Sequence, residues 1–304
     1  MPATIFETNS KKLKRKDIDP ITLDIIENAM MNARYEMDAV VFRTAMSPGI
    51  REQNDMFPMI ANLEGKMVVG QFGSFIHGFK EAYDGSIEEG DLFLTTDPYA
   101  CNGAISHIND WLLLRPIFKD GRLIAYAAMF GHMTDVGGKV PGSLPTDARE
   151  IFEEGIRVPP LKIFKKDELQ TDVLELILHN SRMPTWNRSD FNALVAAMRT
   201  AEKRVIEMAE RFGDDEYYSA LDELLARVPR RARGSRAVRL VRRRRPSRCL
   251  RGSLARTARQ RASSATAPAR AGTPVGLGGG ACQGYGSAPV TGSRLMAAAV
   301  ANGA

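Results

Sequence analysis

Two histidines and an aspartate in the middle of the chain have spacing typical of a metal site. Two residues separate His107 from Asp110, and His132 follows His107 by 25 positions. Imidazole nitrogens and carboxylate oxygens suit Zn²⁺, Mn²⁺ or Fe²⁺, and three such ligands leave coordination positions open for a reacting group. Asp135 is a fourth candidate, either as a ligand or as a hydrogen-bond partner of an imidazole. Histidines at strand ends are also often purely structural, so the spacing alone leaves both interpretations open.

A β-hairpin is predicted to bring these residues together. Apolar strands at residues 111–118 and 123–130 flank Lys119-Asp120-Gly121-Arg122, a strong signal for a two-residue turn. If Lys119 pairs with Arg122, Asp110 lies opposite Gly131 and Asn109 opposite His132. A three-residue loop would shift the register by one residue and change which side chains share a face. The three residues meet at the open end of the hairpin in either register.

The elements on either side of this hairpin predict an α+β fold with a central cluster of antiparallel strands. A helix is expected to begin at Asp19-Pro20 and to stop before Ser47-Pro48-Gly49. Further strands are predicted at 59–63, 67–71 and 91–96, the first two forming a hairpin. Apolar spacing then predicts a short helix marked by Leu169, Val173, Leu176 and Ile177 and a long one from Phe191 to Phe212, closed by Gly213.

Charge divides the chain into unlike parts. Residues 229–304 contain 16 Arg but no Lys, Asp or Glu, and removing these from the 42 basic residues leaves 26 against 36 acidic ones in the first 228, a balance of −10. The net charge of +6 therefore describes the tail and not the body. We predict a flexible lead-in at residues 1–16, a folded domain at 17–228 and a disordered tail rich in Arg, Ala and Gly at 229–304.

The tail has two interpretations. Its run Arg242–Arg245 fits a basic arm that binds nucleic acid or an acidic partner. Its lack of Lys and acidic residues instead favours translation of a GC-rich gene in the wrong frame, because GC-rich codons yield Arg, Ala, Gly and Pro. The favoured interpretation is the frame shift, and nucleic-acid binding is not expected.

Cysteines and apolar segments indicate a cytoplasmic protein. Cys101, Cys249 and Cys282 are too few and too scattered for a disulfide framework and are expected to be reduced thiols. The first 20 residues have no apolar run of a signal peptide, and no stretch of about 18 apolar residues follows. We therefore expect no membrane association.

Several segments, taken in order, carry a resemblance to a known family. They are DPITLDIIENAM, RTAMSPGIREQNDMF, GDLFLTTDPY, SHINDW, GHMTDVGGKVPGSLPTDAREIFEEGIRVPP and NRSDFNAL. Together they span about 210 residues and resemble the N-terminal part of the hydantoinase B/oxoprolinase family, which includes N-methylhydantoinase, 5-oxoprolinase and caprolactamase subunits and related acetone and acetophenone carboxylases. The run from Gly131 to Pro160 is the most specific part.

The resemblance implies the chemistry and the partner. Members of the family work beside a hydantoinase A-type subunit that uses ATP to phosphorylate an amide or carbonyl oxygen, and the B-type subunit carries the second half-reaction. It also implies that His107, Asp110 and His132 hold a divalent metal (Mn, Zn or Fe). The chain has no phosphate-cradling glycine loop of its own, so ATP is expected to bind the partner.

The reaction expected from the resemblance is hydrolysis of an activated cyclic amide, with His77 and Glu154 as candidate acid/base residues. Three alternatives stay open: a ketone carboxylase subunit, an inactive truncated fragment, and nucleic-acid binding through the tail. This chain alone is expected to be inactive, because the activating subunit would be missing.

Overall fold

An antiparallel β-sheet forms the centre of the protein. The computed structural model describes residues 17–71, 74–101 and 103–227. Its seven strands lie in the order β2-β1-β5-β4-β3-β6-β7, and every neighbouring pair is antiparallel. The strands are β1 (Met56–Ala61), β2 (Met67–Val69), β3 (Leu92–Thr95), β4 (Asp110–Lys119), β5 (Arg122–His132), β6 (Leu161–Lys165) and β7 (Glu168–Leu169). The predicted α+β class with a central antiparallel strand cluster is confirmed.

Helices surround this sheet. They are α1 (Pro20–Thr44), α2 (Pro48–Gln53), α3 (Ile76–Ala82), α4 (Thr171–His179) and α5 (Pro184–Phe212), followed by a helical segment at residues 214–227, and a short 3₁₀ turn lies at Ile151–Glu153. The Asp19 carboxylate accepts a hydrogen bond from Thr22 N at 2.9 Å, which caps α1 as predicted. Gly213, with φ of 82°, ends α5 where the sequence indicated.

Both faces of the hairpin β4–β5 are buried. On one face, Trp111, Leu113 and Met129 pack into the core formed with α1 and α5. On the other face, Leu112 and Phe130 belong to a second core with α3. This double burial explains why the two strands are apolar almost without interruption.

The register of this hairpin differs from the one expected. Asp120 and Gly121 have φ of 51° and 70°, as a tight Asp-Gly turn requires, and Lys119 pairs with Arg122. The register then shifts, because Phe118 pairs with Leu123 but Ile117 pairs with Ala125. Ile124 is the extra residue of a β-bulge. The predicted pairing of Asp110 with Gly131 is therefore wrong: Asp110 lies directly opposite His132.

Other differences from the predicted elements are local. Leu169 belongs to β7 and not to the following helix, and Leu176 is 63% exposed, although its spacing suggested a buried position. The Ser47-Pro48-Gly49 sequence ends one helix as expected but also starts another, since Pro48 is the first residue of α2. Cys101 is a buried free thiol. The lead-in 1–16 and the tail 229–304, with Cys249 and Cys282, lie outside the described residues.

Within the described ranges, none of the helices has the length and apolar character needed to cross a membrane.

Candidate metal centre

Three side chains meet at one end of the hairpin β4–β5. His107 Nε2 lies 3.0 Å from His132 Nδ1 and 3.1 Å from Asp110 Oδ1. His132 Nδ1 in turn lies 3.1 Å from the same Asp110 oxygen. The three atoms thus form a nearly equilateral triangle, and a search of the described residues finds this group of His, Cys, Asp or Glu side chains close enough together that it could hold a metal ion.

Strand pairing explains the convergence. Asp110 begins β4, His132 ends β5, and the two are directly paired. By strand alternation, both extend the face that carries Leu112 and Phe130. His107 comes from the turn before β4, where its carbonyl accepts a hydrogen bond from Asp110 N at 3.3 Å. The site therefore depends on the bulge, because the unshifted register would place Asp110 on the face opposite to His132.

Asp55 approaches the same site from the other neighbouring strand. It immediately precedes β1, in which Met56 pairs with Gly131, and its carbonyl accepts a hydrogen bond from His132 N at 3.1 Å. Its Oδ2 lies 3.6 Å from His132 Nδ1. Two carboxylates thus flank one imidazole in a row across three strands. Sequence reasoning missed Asp55, because the pairing of β1 with β5 joins residues 65–75 positions apart, from Ala61↔Tyr126 to Met56↔Gly131.

The charges at the site are strongly coupled. Burial opposes the charge of Asp110, but hydrogen bonds with His107 and His132 outweigh it and hold the pKa of this carboxyl group below its ordinary value. The hydrogen bond to Asp110 raises the pKa of the His107 imidazole despite partial burial. Burial, followed by the charge of Asp110, raises the pKa of Asp55. The site is thus a concentration of negative charge that favours a cation.

The donor set fits a divalent metal. Two imidazole nitrogens 3.0 Å apart can hydrogen-bond each other when one of them carries a lone pair, and this neutral form of imidazole is the one that binds a metal. Ser106 Oγ lies 2.9 Å from His107 Nδ1 and can hold the tautomer that leaves Nε2 free as a ligand. Three ligands about 2.1 Å from a metal lie about 3.0 Å apart on one octahedral face, against about 3.4 Å in a tetrahedron. The observed spacing of 3.0–3.1 Å is compatible with three ligands of one divalent metal.

The segment that follows His132 is held at each residue. Met133 N donates to Asn109 O at 2.8 Å, and Asn109 Nδ2 donates to Met133 O at 2.9 Å. Thr134 bonds Ser47 Oγ, and the Asp135 carbonyl accepts a hydrogen bond from Asn187 Nδ2 at 2.7 Å. The strand end that carries His132 is therefore fixed by contacts from the loop before β4, from the α1–α2 junction and from α5.

Asp135 is placed apart from the triangle. Its carboxylate accepts hydrogen bonds from the backbone of Gly137 and Gly142 at 3.0 and 2.9 Å. Arg182 Nη1 donates to it at 2.9 Å and Arg182 N at 3.1 Å. The Asp135 carboxylate organises the glycine-rich loop after β5, and the candidate centre consists of His107, Asp110 and His132 with Asp55 beside them.

The two predicted acid/base residues have different surroundings. His77 lies on α3 with its side chain 74% exposed, and its Nε2 is 3.3 Å from Glu81 Oε1. Glu154 lies beside the triangle: its Oε2 accepts a hydrogen bond from Ile108 N at 3.4 Å, and its charge contributes to the raised pKa of His107. The structure brings Glu154, but not His77, to the candidate centre.

Comparison with known proteins identifies the family of this chain. The model of the hydantoinase B/oxoprolinase family matches residues 19–241, and the chain belongs to this family. The family includes carboxylases and amide hydrolases that use ATP. The resemblance stated from the sequence is confirmed.

Individual relatives refine the comparison. The beta subunit of caprolactamase from Pseudomonas jessenii is 33% identical over 216 residues, which cover 68% of this chain and 37% of that subunit. The crystal structure of the ATP-dependent caprolactamase from the same organism superimposes with a TM-score of 0.65 at 29% identity, covering 72% of this chain and 39% of that one. The delta subunit of acetophenone carboxylase from Aromatoleum aromaticum is 29% identical over 189 residues, or 59% of this chain and 27% of that subunit. The chain thus spans less than half the length of these relatives.

Proposed function

We propose that this chain provides the metal-binding half of a hydantoinase B-type subunit and that the complete enzyme hydrolyses an activated cyclic amide. The observation that carries the proposal is the triangle of His107, Asp110 and His132, whose donor atoms are 3.0–3.1 Å apart. The chain's membership in a family of amide hydrolases and carboxylases supports the reaction class.

A divalent Mn, Zn or Fe ion in this triangle would supply Lewis acidity and a water of lowered pKa. The chain's own residues determine how that ion is presented. Asp110 would balance part of the ion's positive charge, and its Oδ1 lies close enough to both imidazoles for the three side chains to share one ion. Three protein ligands would leave the remaining coordination positions of the ion open to substrate and water.

Two carboxylates beside the triangle are suited to moving protons. Asp55 Oδ2, 3.6 Å from His132 Nδ1, is partly exposed and can accept a proton from the attacking water or act as a further ligand. Glu154 lies on the side of His107 and can donate a proton to the departing nitrogen. We assign no catalytic role to His77, because its side chain faces solvent and pairs with Glu81.

The activation step is assigned to a partner. An amide carbonyl is a poor electrophile, and phosphorylation of its oxygen makes the carbon more electrophilic. One water would add to this carbon as the C–N bond breaks, and a second would release phosphate from the resulting acyl phosphate. We propose that a hydantoinase A-like subunit uses ATP for this step, in keeping with the "subunit beta" and "ATP-dependent" names of the caprolactamase relatives. The chain alone is then expected to turn over no lactam or hydantoin.

A second candidate reaction is ketone carboxylation. The identity of 29% with an acetophenone carboxylase subunit favours it, since the same open metal face could hold an enolate oxygen and orient it towards CO₂. Hydrolysis is preferred because the caprolactamase subunit matches more of this chain and at higher identity.

Metal binding and turnover are tested separately. Elemental analysis of the purified chain should find about one divalent transition metal, and His107→Ala/His132→Ala should contain none. Equal metal content in both would remove the site.

Activity should then be measured for the chain alone and with a cognate A-type subunit, supplying ATP with caprolactam, a hydantoin, or acetophenone and bicarbonate. Ring-opened product that depends on ATP and partner supports hydrolysis, whereas a carboxylated ketone supports the second candidate, and turnover by the isolated chain would refute the role assigned to the partner.

A further inference from the structure

Helix α2 forms a wall against the ring of His132. Gly49 approaches this ring so closely that a Cβ atom at position 49 would lie 3.2 Å from His132 Cδ2 and 3.5 Å from the His132 carbonyl oxygen. The carbonyl of the same glycine accepts a hydrogen bond from Asp55 N at 3.0 Å, and Asp55 O accepts one from His132 N at 3.1 Å. The position of α2 therefore sets both the imidazole and the carboxylate next to it.

A buried carboxylate from α5 fixes the start of α2. Asp190 is fully buried, and both of its oxygens lie 3.2 Å from Ser47 N, the N-cap residue of α2. It also accepts hydrogen bonds from Met46 N and from the Ser47 hydroxyl. These donors are two backbone N–H groups that have no partner within the helix, and one hydroxyl. An acidic side chain at a helix start satisfies such groups well.

The same contacts reach the strand end beyond His132. Ser47 Oγ donates to Asp190 and therefore has its lone pairs available for Thr134. Thr134 N donates to Ser47 Oγ at 3.2 Å, and Thr134 Oγ1 lies 2.8 Å from it. Asp190 thus fixes the start of α2, which packs against the His132 ring. Through the Ser47 hydroxyl it also holds the backbone of Thr134, two residues after His132.

We propose that Asp190 is a positioning residue for the metal centre, which it reaches through Ser47 and Thr134 without contacting a ligand. This proposal rests on the proposed metal-binding function. An Asp190→Asn side chain keeps the shape but places an NH₂ group where Oδ2 now accepts from Ser47. The Ser47 hydroxyl must then accept a hydrogen bond from the introduced amide in competition with Thr134, so α2 and the segment after His132 lose their common anchor.

The test compares Co²⁺ binding by variants of the full chain, stripped of metal with a chelator. Asp190→Asn should weaken Co²⁺ affinity by about tenfold, the low end of the effect of losing a group that bonds a metal ligand directly, because Asp190 acts through Ser47 and Thr134. It should also change the visible absorption of bound Co²⁺, which reports ligand geometry. Thr134→Val, a milder change, should produce a smaller shift in the same direction and serves if Asp190→Asn folds poorly.

Two controls separate positioning from general stability. Ser189→Ala removes a hydrogen bond from α5 to Thr44 O at 3.3 Å without affecting Ser47. Val205→Ala weakens the core of the same helix about 22 Å further along it. Both should bind Co²⁺ like the wild-type chain at a temperature where all variants are folded. Equal affinity and an equal spectrum in Asp190→Asn and Val205→Ala would overturn the positioning role alone, whereas a wild-type chain that binds no Co²⁺ would overturn the metal site as well.

Discussion

Replacement of Gly49 by Ala should separate metal affinity from stability. The added Cβ would lie 3.2 Å from His132 Cδ2, whereas ordinary contacts of this kind begin at 3.4 Å. The ring must therefore move by about 0.2–0.4 Å, which is comparable with the tolerance of about 0.5 Å for a preorganised site. Because His132 Nδ1 belongs to a triangle with edges of 3.0–3.1 Å, this shift should disturb the ligand geometry directly.

Gly49→Ala is expected to weaken metal binding but to change the stability of the metal-free chain little. A displaced ligand should weaken metal binding by about tenfold, which corresponds to about 1.4 kcal/mol. Alanine in a helix is favoured over glycine by about 0.5–1 kcal/mol, so part of the cost of the contact is offset in the metal-free chain. The melting temperature without metal should therefore change by no more than about 2–4 °C in either direction.

The assay is a Zn²⁺ titration in competition with a chromophoric chelator, alongside thermal unfolding with EDTA. Glu52→Ala, an exposed change in the same helix, is the matched control and should leave affinity unchanged. Wild-type affinity in Gly49→Ala would show that the imidazole is not held by α2, and a large fall in melting temperature would show that the glycine serves folding and not the site.

Three further predictions concern other parts of the chain. Asp110→Asn should lower the pKa of His107, observed by NMR titration of its ring protons without metal, because Asp110 is the main cause of the raised value; an unchanged pKa would contradict this. The same variant should also make the free energy of unfolding depend less on pH. The raised pKa of His107 stabilises the fold below the unfolded value of about 6.5, and this stability is lost as pH rises through the folded value; the lowered pKa of Asp110 stabilises it above about 3.9, and this stability is lost as pH falls. Urea unfolding should therefore show the largest loss of stability near pH 5, where both contributions are present. Asp19→Ala should cost about 1 kcal/mol by removing the α1 cap, and no change in the urea midpoint would mean that water replaces it.

Local sequence signals predicted where helices and turns begin and end. They did not predict the features that depend on pairing between distant strands. The Asp19-Pro20 start, the Asp120-Gly121 turn and the Gly213 stop each depend on residues within one turn of the chain, and each is confirmed. Asp55 was missed because its place beside His132 comes from pairing with a distant strand. The predicted pairing of Asp110 with Gly131 was wrong, because the residue types around Ile124, all within an apolar run, do not indicate a β-bulge.

The role of Asp190 in holding α2 could not be predicted from the sequence either. Asp190 follows an Arg-Ser pair on a long helix, where a charged residue ordinarily faces solvent, yet it is fully buried. Only the packing of α5 against the junction of α1 and α2 brings it to Ser47, 143 residues away. The convergence of the three candidate ligands could therefore be predicted from residue types and spacing. The residues that support them could not, because the tertiary fold alone brings those residues together.

The bulge at Ile124 makes the candidate centre sensitive to strand length at a distance. Ile124 lies eight residues before His132, about 26 Å along an extended strand. Apolar substitutions in that interval change packing but leave the pairing of Asp110 with His132 intact. Gain of a single codon there would instead place Asp110 opposite Gly131 and separate the two candidate ligands without altering either, whereas loss of a single codon can be absorbed by loss of the bulge, which keeps Asp110 paired with His132. Point mutations between the turn and the site should therefore accumulate as long as they remain apolar, whereas single-residue insertions should be eliminated.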